Sequence, residues 1–138
     1  MACTCQKLRQ LSRSITHYYD AELKKAGLKT TQYMLLSEIL GLQPVSLRGL
    51  ARAMHVEQST LSRNLRPLKM AGWIEVATGL DGRSKNVTVT PLGRAKQLEG
   101  NRRWLVAQQN FNSLLSAERA ADLNALADNY MEVLPALP

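Results

Sequence analysis

Apolar residues at Leu8, Leu11, Ile15, Tyr18, Tyr19 and Leu23 recur every three or four positions, which predicts an amphipathic helix over residues 4–25 that stops at Gly27. A second helix is predicted after the cap candidates Thr30 and Thr31, carrying Tyr33, Met34, Leu36, Ile39 and Leu40 until Gly41 and Pro44 end it. A short helix follows, with Leu47, Leu50, Ala51 and Met54 facing inward. After a break at His55-Val56, the spacing of Leu61, Leu65 and Leu68 predicts another helix, ending at Gly72.

Beyond Gly72 the period changes from helical to alternating. Residues 73–77 and 86–90 are strand candidates, and the glycines and the Asp81-Gly82 dipeptide between them are turn chemistry, so a β-hairpin is expected. Thr90-Pro91 supplies an N-cap and a first-turn proline for a helix reaching about Asn112. Ser116 caps a last helix, whose stripe is Leu123, Leu126, Ala127, Tyr130, Val133 and Leu134. No internal repeat or low-complexity linker interrupts the chain.

Composition narrows the class. A chain of 138 residues, 45% hydrophobic and 21% charged, suits one domain with a real core, and the 5% aromatic content with frequent Leu and Ala favours helix over a β-sandwich. No apolar run approaches the about 18 residues of a membrane span, and the first ten residues lack a signal-peptide core, so a cytoplasmic protein without a membrane partner is expected. Cys3 and Cys5 cannot staple the two ends of a domain and are expected to be thiols in a reducing compartment.

Charge then points to a partner. The net charge of +7 is spread unevenly: residues 1–43 carry +3, residues 44–90 carry +4, and residues 91–138 are neutral. The middle segment is therefore expected to face a polyanion. With Leu61, Leu65 and Leu68 turned inward, the outer face of their helix offers Gln58, Ser59, Ser62, Arg63 and Arg66, with Thr60 at its N-terminal edge. Small hydrogen-bonding residues beside arginines can reach base edges and phosphates together in a major groove. A hairpin tip carrying Arg83 and Lys85 can reach the adjacent minor groove. Short helix, turn, second helix and basic hairpin together make a winged helix-turn-helix.

The segment from Val45 through Ala95 resembles the DNA-binding core of MarR-type transcriptional regulators, most specifically in the block Gln58 to Gly72, the tip Asp81-Gly82-Arg83, and the Thr90-Pro91-Leu92-Gly93 helix start. The resemblance extends along nearly the whole chain. It implies a mainly α fold with a small β-hairpin wing, a single domain over 1–138 with a DNA-binding lobe at about 44–90, and dimerisation helices at 1–27 and 91–138. It further implies a homodimer on a pseudo-palindromic operator in double-stranded DNA, with Ser59, Thr60 and Arg63 as groove contacts. Arg83 would enter the minor groove, and Asp81 would brace an arginine of the wing. Pro67 departs from the usual pattern, because a proline late in a helix deletes the bond to the Arg63 carbonyl.

The stretch from Cys5 to Tyr33 is also similar to the organic-peroxide-sensing branch of that family. Cys5 lies fourteen residues before Tyr19, as the branch's reactive cysteine precedes one of its tyrosines, whereas Arg9 stands where the branch has a second tyrosine. Cys3, Cys5 and Tyr19 are thus the redox candidates, and the expected effector is an oxidant or a phenolic small molecule seated between the dimer helices and the DNA-binding lobe. Exposure at a helix N-terminus with Lys7 and Arg9 close by suits a reactive thiol, while two inert thiols at a frayed terminus are the plainer alternative.

Other chemistries have less behind them. His17 and His55 have no ligand-spaced partner, so neither a metal site nor a cofactor is expected. Ser59 and Ser62 have no nearby His-acid pair, which leaves a hydrolase without a triad. The expected function is a DNA-binding transcriptional regulator, a repressor rather than an enzyme. Two alternatives stay open: a non-specific architectural DNA binder, and a metal-dependent DNA binder built on Cys3, Cys5 and a histidine.

Overall fold

A computed structural model describes residues 1–136 and contains six helices and three strands. Helix α1 (Thr4–Leu23) passes into a tight turn at Lys24–Ala26, and Gly27 takes the left-handed backbone (φ 71°) that ends it, as the sequence predicts. Helix α2 (Thr30–Leu42) begins one residue earlier than its Thr30-Thr31 caps imply: Lys29 is the N-cap, and Thr30 is already helical. The Thr30 N–H is capped from elsewhere in the chain, by Asp20 Oδ1 of α1 at 2.8 Å. Gln32 completes the start by accepting the Lys29 N–H at 3.0 Å.

Strand β1 (Val45–Ser46) is an element the sequence pattern does not announce. It pairs antiparallel with β3 (Lys85–Val89), which also pairs with β2 (Ile74–Thr78), so the hairpin becomes a three-stranded sheet of order β1-β3-β2. Ser46 then caps helix α3 (Leu47–Met54) through its Oγ, which accepts the Gly49 N–H at 2.9 Å. His55 adopts a left-handed conformation (φ 55°) at the turn into α4 (Gln58–Met70). Helix α4 runs through Pro67 to Met70 without a break.

Leu61, Leu65 and Leu68 of α4 are all buried, together with Leu50 and Ala51 of α3, Ile74, Val87 and Val89 of the sheet, and Leu35, Leu36 and Ile39 of α2. The lobe therefore closes around one apolar cluster, which fixes the roll of α4 and so decides which of its residues face outward. Trp73 and Trp104 both pack against this core.

Helix α5 (Pro91–Leu115) starts where the sheet ends. Thr90 Oγ1 donates to the Gly72 carbonyl and accepts the Gly93 N–H at 3.0 Å, and the Thr90 N–H bonds the Trp73 carbonyl at 3.0 Å. From there α5 packs along α1 and α2, joined by Tyr33 Oη to Asn101 Oδ1 (2.8 Å) and Tyr19 Oη to Gln108 Oε1 (2.7 Å). Ser116 Oγ caps α6 (Ala117–Val133) as predicted. The apolar stripe of α6 is left largely uncovered: Leu126, Tyr130, Val133 and Leu134 are exposed in the single chain, as are Leu8 and Leu11 of α1 and Leu114 of α5. Among the described residues no helix is long and apolar enough to cross a membrane.

Candidate nucleic-acid interface

The burial of Leu61, Leu65 and Leu68 turns Gln58, Ser59, Ser62, Arg63 and Arg66 outward, and all five are exposed. Thr60 is half-buried at the edge of this face. The helix thus presents amide, hydroxyl and guanidinium groups along one open side, the inventory that base edges and phosphates require. Among the described residues the ion pairs are Lys25–Glu22 at 2.7 Å and Lys96–Glu99 at 3.1 Å, so neither of them neutralises an α4 arginine.

The hairpin is held to the same helix. The Trp73 N–H bonds the Leu68 carbonyl at 2.9 Å, and β2 continues directly from there to the tip. At the tip Asp81 Oδ1 accepts the N–H groups of Ser84 and Arg83, both at 3.0 Å, and the Ser84 hydroxyl at 2.9 Å. These bonds favour the ionised carboxylate and hold Asp81 below the usual carboxylate range. In the single chain Asp81 therefore braces the backbone of the turn rather than a guanidinium. Gly82 has φ 73°, a conformation that a glycine adopts without strain. Arg83 in this turn and Lys85, the first residue of β3, are both exposed.

The redox candidates are arranged differently. Cys3 is the N-cap of α1, its Sγ accepting the Gln6 N–H at 3.4 Å, while Cys5 sits in the first turn; both are exposed. Cys5 shares an open face with Leu8, Arg9, Ser12 and Arg13. Because α1 is one continuous helix, the fourteen residues from Cys5 to Tyr19 separate them by roughly 21 Å of rise, so one chain does not bring them together. Among the described residues no group of three His, Cys, Asp or Glu is placed to hold a metal, so a metal centre built on Cys3 and Cys5 has no further ligands there.

Tyr19 instead lines a cavity of about 500 Å³ between α1, α2, α5 and α6, with Leu11, Ile15, Met34, Trp104 and Leu123. Burial pushes the Tyr19 phenol up from its ordinary value, so it remains a neutral donor to Gln108. No charged side chain lines the cavity. Thr30, on its wall, buries an Oγ1 with no hydrogen-bond partner.

Sequence reasoning did not single out Arg48 and Arg52, exposed on α3, and it read His55, the exposed C-cap of that helix, only as a break and an unpartnered histidine; all three lie beside the start of α4. The four-residue spacing of Arg48 and Arg52 was the available signal, since it places both on one face of α3 away from Leu50.

Comparison with known proteins agrees with this geometry. Residues 26–84 match the MarR family model. The HTH-type transcriptional regulator YwoH of Bacillus subtilis is 26% identical over 105 residues, covering 76% of this chain and 77% of its own. The crystal structure of the M. tuberculosis transcriptional regulator MosR in complex with DNA superposes with a TM-score of 0.81 at 26% identity, covering 97% of this chain and 100% of that one. The S. aureus MepR–DNA complex shares the fold at a TM-score of 0.80 and 20% identity, with 97% and 100% covered. Taken with the helix-turn-helix and hairpin described above, these similarities show that the chain has the fold of MarR-type winged helix-turn-helix transcriptional regulators and that residues 26–84 are similar to that family.

Proposed function

We propose that the chain is a sequence-specific repressor that binds a pseudo-palindromic operator as a homodimer and is released by an oxidant or a neutral phenolic molecule. The observation that carries the reading is the outward face of α4, where Gln58, Ser59, Ser62, Arg63 and Arg66 stand exposed above a core that fixes their direction. On this reading Arg63 reads a base edge, Ser59 and Thr60 reach the groove, Arg66 meets phosphate, and Arg83 and Lys85 enter the flanking minor groove. The DNA-binding lobe is residues 44–90. Residues 1–27 and 91–138 supply the dimer contacts, a role that suits the apolar side chains Leu8, Leu11, Leu126 and Tyr130 left uncovered in the single chain.

The effector reading is supported by two places. The uncharged cavity beside Tyr19 suits a neutral phenol better than a carboxylate, because no cation lines it to offset a buried negative charge. At the N-terminus, an organic hydroperoxide would transfer one oxygen to the Cys5 thiol and leave as its alcohol, and the sulfenic acid would condense with the Cys3 thiol to a disulfide with loss of water.

Selection of bound fragments from a random DNA pool tests the core of the proposal. It should recover an inverted repeat with half-sites about one helical turn apart. A pool that stays unenriched despite tight binding identifies a non-specific architectural protein instead.

A further inference from the structure

We propose that Arg48 and Arg52 of α3 and its C-cap His55 form a seat for one backbone phosphate of the DNA, beside the N-terminus of α4; the assignment rests on the DNA-binding reading above. Arg48 and Arg52, four residues apart on α3, share one exposed face away from the buried Leu50, and His55, the C-cap of α3, is exposed just beyond them. The three residues border a small cavity of about 190 Å³ together with Ala51, Val56 and Gln58, the first residue of α4. Ala136 forms part of the rim and carries no charge.

Two features make this cavity an anion site rather than a solvated edge. The ion pairs among the described residues, Lys25–Glu22 and Lys96–Glu99, lie elsewhere, so the two guanidinium groups are not neutralised by either. Glu57, the nearest carboxylate along the chain, does not border the cavity. As the N-cap of α4 it also makes no side-chain cap, which leaves the first-turn N–H groups of Gln58, Ser59 and Thr60 available to an anion. A planar guanidinium offers forked donors that match phosphate oxygens, and His55 borders the cavity beside the arginines.

Position in the fold identifies the source of the phosphate. In a helix-turn-helix the second helix lies in the groove while the first crosses the backbone. A seat formed by α3 and closed by the first residue of α4 therefore meets the strand that flanks the groove, and it holds the register of α4 without reading sequence.

The test is a salt titration of binding to a random-sequence duplex and to the selected operator, for the wild type, Arg48→Ala, Arg52→Ala and His55→Asn. Each arginine variant should lower the slope of log affinity against log salt by about 0.9 and weaken binding about five- to tenfold at ~0.1 M salt, equally on both DNAs. His55→Asn keeps a residue that tolerates the left-handed turn and should weaken binding severalfold on both. Unchanged thermal unfolding confirms that the folds are intact. Wild-type slope and affinity in both arginine variants overturn the seat, and a loss confined to particular base positions makes these residues readers of sequence instead. Inorganic phosphate at matched ionic strength is the second probe: if its binding needs the arginines while duplex binding does not, the site holds free phosphate and the DNA assignment falls. A wild type that binds no duplex removes the DNA reading and this proposal together.

Discussion

Gly93 lies directly against the main-chain carbonyl of Trp73, so close that a Cβ at this position would overlap it and would also stand 2.7 Å from Val89 Cγ1. The contact seats the first turn of α5 on the backbone that leads from α4 into β2. It thereby joins the sheet to the long helix that runs to the other end of the molecule.

Substituting Gly93→Ala forces that turn away from rigid backbone rather than from a flexible side chain. The expected loss is about 1–3 kcal/mol, within the range for overpacking a filled site. Thermal and urea unfolding measure it. A variant as stable as the wild type would mean that α5 can slide on the sheet at little cost.

Helix termini show how far local pattern carries. The leucines of α4 and the Thr90-Pro91 start of α5 were legible because both depend on neighbours within one or two turns. The start of α2 was not, since its cap is Asp20, ten residues away on another helix. Strand β1 was hidden for a related reason: two residues have no period, and their partners Val87 and Asn86 come from the far side of the lobe. The outward face of α4 could be read from its inward one, whereas the Arg48 cluster needed the α3–α4 turn before its members met.

Dimerisation through the terminal helices predicts that Leu11→Asp or Leu126→Asp weakens association and DNA binding together, because each puts a charge where apolar surface is to be covered. Light scattering of the wild type should report twice 15.4 kDa. A monomeric wild type that binds its operator tightly would contradict the dimer.

The Asp81 carboxylate is held below the usual range by hydrogen bonds from Ser84 and Arg83. With a depressed folded value, its stabilisation of the tip is present above the ordinary aspartate pKa near 4 and is lost as pH falls through the lower folded value. Amide exchange at Arg83 and Ser84 should therefore speed up in acid, and Asp81→Asn should show faster exchange already at neutral pH. Equal protection in variant and wild type at pH 7 would remove the brace.

Organic peroxide added stoichiometrically should lower operator affinity in the wild type but not in Cys5→Ser, with the fold retained in both. Cys3→Ser should still oxidise at Cys5 but stop at the sulfenic acid or pass to a different thiol. If mass spectrometry finds Cys5 oxidised while affinity is unchanged, the switch lies in the cavity beside Tyr19, and a neutral phenol is the effector to titrate.

Whether α4 reads sequence is decided by the affinity of wild type and Arg63→Ala for the selected operator, its single-base variants and random DNA. The expected result is a loss of about 1–3 kcal/mol on the operator, a flattened preference at one position in each half-site, and a much smaller loss on random DNA. Equal losses on operator and random DNA, with every base preference retained, would contradict it.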